Sequence, residues 1–82
     1  MSTVLRVDGF TIMIYLPNRE HGPAHVHVFK AGTELIVTLG EGAEPPAITN
    51  NRRMRDADLV AAYRIIQTHL DVLRSEWRKY HD

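Results

Sequence analysis

Three of the chain's five histidines fall within seven residues, inside the stretch "NREHGPAHVHVFKAG" that runs from Asn18 to Gly32. On a β-strand, residues two apart project from one face, so His25 and His27 would stand side by side with roots roughly 7 Å apart. His21, four residues earlier in a loop, could fold back over them. Three imidazoles that leave a fourth position open make a ligand set for zinc or another first-row divalent metal. Glu20 and Glu34 would then serve as a ligand or as carboxylates behind the ligands. The same block suits acid–base work, because histidine's ordinary pKa lies near about 6.5, with Arg19 as an electrostatic partner. The plainer reading is structural: if Val26 and Val28 pack inward, His25 and His27 are solvated residues on an outer strand face. The spacing alone leaves all three open.

A second group is Arg52, Arg53 and Arg55. They precede a helix start, where positive charge opposes the macrodipole, so helix stability does not explain them. Guanidinium groups make bidentate contacts to phosphate or carboxylate, and the alternative is a solvated loop. His69 lies beside an apolar helical stripe, and His81 suits the negative end of a helix. No serine–histidine–acid set, phosphate loop or nucleotide fingerprint is present.

The elements that must position these residues follow from periodicity. Phe10, Ile12, Ile14 and Leu16 alternate with Thr11, Met13 and Tyr15, which predicts a strand after a shorter one at Val4–Val7 and a turn at Asp8-Gly9. "HVHVF" predicts a third strand, Lys30-Ala31-Gly32-Thr33 a hairpin turn, "ELIVTL" a fourth strand and Ala47–Asn50 a short fifth. From Asp56, a candidate N-cap, the pattern changes: Leu59, Tyr63, Ile66, Leu70, Leu73, Trp77 and Tyr80 fall on one helical stripe without Gly or Pro inside. Asp58 suits the positive helix end, and Arg74, Arg78 and Lys79 the negative one. The expected fold is α+β, a single domain over residues 1–82. A small antiparallel sheet of four to five strands packs against one long C-terminal helix. At ~1.5 Å per residue that helix would run roughly 37 Å and overhang the sheet. The plainer reading of the stripe is core packing; the sharper one is that Leu73, Trp77 and Tyr80 at its far end dock a second chain.

Composition narrows the class. With 44% hydrophobic and 24% charged residues, the 82-residue chain is globular rather than disordered. It has no cysteine, which removes disulfides and thiolate metal sites. No run approaches the roughly 20 apolar residues of a membrane span, and the N-terminus has no signal-peptide stretch, so a soluble cytoplasmic protein is expected. So short a chain buries only roughly 60% of its unfolded surface, and a partner or homo-oligomer would help it. The net charge is zero, which argues against wholesale coating of nucleic acid.

Taken together, "TVLRVDGFTIMIY", "EHGPAHVHVFKAG" and the closing "EWRKYH" resemble the small bacterial proteins grouped as domain of unknown function four-one-six-zero. The most specific part is an acidic-His-x-Pro-Pro-His-x-His block, matched by Glu20, His21, Pro23, His25 and His27. Ala24 departs from it, standing where the family usually has its second proline. Trp77 with His81 is similar too. The resemblance implies a neighbouring gene for a second small protein, an arrangement understood as a toxin–antitoxin pair. It implies no established catalytic assignment. Of the two roles the toxin-like one is favoured, since the chain has neither a disordered arm nor a helix-turn-helix. Its concrete form is an RNA-directed activity with His21 or His25 as acid or base and the arginines on phosphate. The alternatives are a metal-binding protein or metal-dependent hydrolase with His21, His25 and His27 around the ion, and a non-enzymatic module whose long helix or sheet edge recruits a partner.

Overall fold

Five segments form strands, β1 (Ser2–Val7), β2 (Phe10–Ile14), β3 (His25–Lys30), β4 (Thr33–Thr38) and β5 (Ala47–Arg52), with apolar alternation clearest in β2, β3 and β4 and β5 largely polar. A computed structural model describes residues 2–17 and 22–81 of the chain. All neighbouring strands are antiparallel, and the sheet order is β1-β2-β3-β4-β5. The β1–β2 and β3–β4 hairpins turn through Asp8-Gly9 and Ala31-Gly32, each with both residues at positive φ. That is the signature of the two-residue turn whose twist matches the strands it joins.

Phe10, Ile12, Ile14, Val26, Val28, Leu35 and Val37 share the inner face and are buried. Each such side chain contributes roughly 1.5–3 kcal/mol on burial. The same core takes in Ala62, Ile66, Leu73 and Trp77 from the helical segment, so the helices cover one face of the sheet.

The single long helix expected from the stripe is two helices, α1 (Asp56–Thr68) and α2 (Leu70–His81). The break falls at His69, with φ −108° and ψ 19°. Neither Gly nor Pro causes it. The Thr68 hydroxyl donates to the Arg64 carbonyl at 3.0 Å. The His69 ring donates through Nδ1 to the Ile65 carbonyl at 2.9 Å, beside the backbone bond from the His69 N–H. Side chains that bond back to the preceding turn bend helices. The bend has a geometrical use, since the molecule's longest extent is 33 Å. A straight helix of ~37 Å would not fit within it.

Two further expectations at the helix ends are corrected. Arg55, not Asp56, is the N-cap of α1, and its side chain makes no capping bond; Asp56 and Asp58 lie in the first turn. Arg74 does not serve the helix dipole. Its guanidinium donates to the carbonyls of Leu39 (3.3 and 3.0 Å), Gly42 (3.1 Å) and Glu44 (3.0 Å), which pins the β4–β5 loop onto α2.

Candidate functional site

Strand alternation sends Tyr15, His25, His27, Phe29, Glu34 and Arg52 to the side of the sheet opposite the valines. His27 faces Met13 on β2 and Ile36 on β4, while Glu34 faces Phe29 on β3 and Arg52 on β5. The register therefore sets a carboxylate diagonally beside an imidazole. His27 Nδ1–H donates to Glu34 Oε2 at 2.8 Å. The other oxygen, Oε1, lies 3.5 Å from the Arg52 guanidinium.

His27 is not the solvated histidine that an outer face suggested. It is 5% exposed, although the helices pack on the other side. Its neighbours bury it: the Tyr15 ring stacks at 4.2 Å and 13°, His25 meets it edge-on at 5.4 Å, and Phe29 lies parallel at 6.4 Å. Aromatic and imidazole rings on adjacent strands cover one another in this way because cross-strand pairs approach within contact distance.

His25, the first residue of β3, stands at the end of the sheet and is half-buried. Its Nδ1 lies 2.9 Å from the Pro23 carbonyl. A carbonyl can only accept, so the proton is on Nδ1. The His25 ring also contacts Trp77 at 5.0 Å, and Trp77 stacks on His81 at 3.6 Å and 4°. His81 Nε2–H in turn donates to the Tyr15 carbonyl at 2.8 Å. A continuous series of rings thus runs from Phe29 on the sheet to the end of α2. Two clefts flank it. One, of about 420 Å³, is lined by Thr11, Phe29, Lys30, Glu34 and Arg52 among others. The second, of about 450 Å³, lies between Pro23, Ala24, Gly40, Arg74, Trp77 and Arg78.

Of the residues singled out by sequence, His25, His27 and Glu34 are brought together, with Arg52 beside Glu34. Arg19, Glu20 and His21 lie outside the described residues. Among the described residues no group of three or more His, Asp or Glu could hold a metal. His25 and His27 both direct an Nδ1–H toward an acceptor, the Pro23 carbonyl and the Glu34 carboxylate. The three arginines are exposed, but they do different things. Arg52 ends β5 and reaches Glu34, Arg53 turns the chain at φ 68°, and Arg55 occupies the N-cap position of α1 without a side-chain capping bond.

The expected docking residues at the helix end are taken up by the molecule's own core. Leu73 is 0% and Trp77 9% exposed, and Tyr80 is half-buried with its hydroxyl 3.0 Å from Ser2 Oγ. The bend at His69 brings α2 back over the sheet, so Leu73 and Trp77 do not overhang it. The sequence marks Tyr15 only as a strand-face residue and Arg74 only as a helix-dipole partner, and places neither beside the histidines or the β4–β5 loop. Tyr15 shares the alternation that marks Thr11 and Met13, but no pattern shows which ring it meets on the next strand.

Residues 9–78 match the family model described as Domain of unknown function (DUF4160). No curated protein and no solved structure matches the chain. No described helix is long and apolar enough to cross a membrane.

Proposed function

The chain belongs to the DUF4160 family, and from that premise we propose that it is the toxin-like member of a bacterial two-gene module. A small protein encoded by the neighbouring gene binds it, and its target is RNA. The observation that carries this reading is the pairing of His25 and His27, each with its Nδ1 bonded to an acceptor, beside the Tyr15 and Phe29 rings and the Arg52 guanidinium. Rings on a sheet surface are the kind of platform on which unstacked bases lie, and guanidinium groups hold the phosphates between them.

In this reading an imidazole Nε2 takes the proton from a ribose 2′-hydroxyl. The freed oxygen attacks the adjacent phosphorus, and the bond to the 5′-oxygen breaks. A second imidazole of the block, protonated, returns a proton to that leaving oxygen. The products are a 2′,3′-cyclic phosphate and a 5′-hydroxyl. The test is induction of the chain alone and together with its neighbour, with mapping of RNA ends. Growth arrest relieved by the neighbour, with cyclic-phosphate ends, is the expected result. Unaffected growth and intact RNA would overturn it.

One observation favours a second reading, a metal site. Histidines that ligate metal through one nitrogen characteristically donate the other N–H to a carboxylate or a backbone carbonyl. His27 does the first with Glu34 and His25 the second with Pro23. Elemental analysis of protein purified without a histidine tag separates the two. Stoichiometric metal, lost in a His25→Ala/His27→Ala variant, supports the metal site; metal-free protein that zinc does not stabilise removes it.

A further inference from the structure

We infer that Glu34 is the positioning residue of the histidine site. Its carboxylate, accepting from Nδ1–H, fixes the ring plane and the tautomer of His27 beside the ring of His25. The inference rests on the reading that the histidine block carries the chemistry, and it gives Glu34, from a different strand, a specific role in it.

Four observations support it. The Nδ1···Oε2 contact is 2.8 Å, within the range of a charge-assisted bond. Both partners are withdrawn from solvent, with side-chain exposures of 6% for His27 and 17% for Glu34, so water competes poorly for either. The ring itself cannot swing, because Tyr15 stacks on it at 4.2 Å and His25 abuts its neighbouring side at 5.4 Å. Arg52, at 3.5 Å from the second carboxylate oxygen, ties β5 to the same pair. Glu34 is thus held from the strand on each side, as a residue that orients another should be. Arg52 accordingly has a role within the site besides any contact with phosphate.

Imidazole nitrogen spectra of the full chain, above the titration range of histidine, read the tautomer directly. In the wild type, His27 should show a protonated Nδ1 and an unprotonated Nε2. In Glu34→Ala its signals should move toward those of a mixed or Nε2–H population, while His25, held by Pro23, stays unchanged. Glu34→Gln, whose amide oxygen can still accept from Nδ1–H, should retain the wild-type pattern. A wild-type His27 protonated at Nε2, or an alanine variant with an unmoved tautomer, would overturn the inference. The amide spectrum of β4 shows whether the alanine variant is folded. If it is not, the glutamine variant and the wild-type tautomer still decide the matter.

RNA cleavage separates this inference from the functional reading. Glu34→Ala should lower the cleavage rate roughly tenfold or more with little change in RNA affinity, as loss of an orienting carboxylate does elsewhere. A wild type that cleaves no RNA sinks the functional reading, whereas the tautomer alone decides the role of Glu34.

Discussion

His27 combines two demands that usually separate, a buried position and a polar ring. Replacing it with alanine removes a stacked ring and takes the imidazole donor from Glu34 Oε2. His27→Ala should therefore cost about 1–3 kcal/mol in urea unfolding, and His25→Ala, half-buried at the end of its strand, distinctly less. Trp77 carries more apolar surface. Because it packs against His25 and His81 inside the molecule's own core, Trp77→Ala should cost on the order of 3–5 kcal/mol, seen as a lowered thermal midpoint without prior dissociation. What the sequence could show at this scale was limited by register. Alternation put His25 and His27 on one face, but their burial depends on Tyr15 from one strand and Glu34 from another. Those juxtapositions arise only when three strands pair. Arg74 illustrates the same limit, because a cation near a helix end looks like a dipole partner until a loop's carbonyls are found around it.

Strand periodicity and the Asp8-Gly9 turn were legible because each depends on local sequence. The helix break was not, because it is made by Thr68 and His69 bonding back to the preceding turn, residues without the reputation of Gly or Pro. The β4–β5 loop offers a sharp test of element-level design. Gly40 sits at φ +69°, and a Cβ there would lie 2.6 Å from the Glu44 carbonyl oxygen. Gly40→Ala is strained both by its backbone angle and by backbone it cannot displace, and should cost at least about 2 kcal/mol. Arg74→Ala, which empties the same loop of its clamp, should raise amide exchange across residues 40–44 while β2 and β3 keep their protection. Equal exchange in the two proteins would show that the loop holds itself.

At the scale of the molecule, one face of the sheet is covered by helices and the other carries the candidate chemistry. If RNA lies on that second face, binding should weaken steeply with salt. An Arg52→Ala/Arg53→Ala/Arg55→Ala variant should flatten the log–log slope by roughly 0.7 for every phosphate that an arginine no longer neutralises. An unchanged slope would assign those arginines to the solvent or to an acidic partner. The nearest-neighbour strand order has a consequence of a different kind, in time rather than space. Every ladder joins segments adjacent in the chain, so the hairpins can close soon after they are synthesised, and local topology of this kind favours rapid folding. The inner face must nevertheless wait, since the residues that cover it, Ala62 to Trp77, are made after all five strands. A ribosome stalled before the second helix would thus hold a paired sheet with its apolar side open. In a chain this small, that interval is when a chaperone or a cognate partner would have its best access.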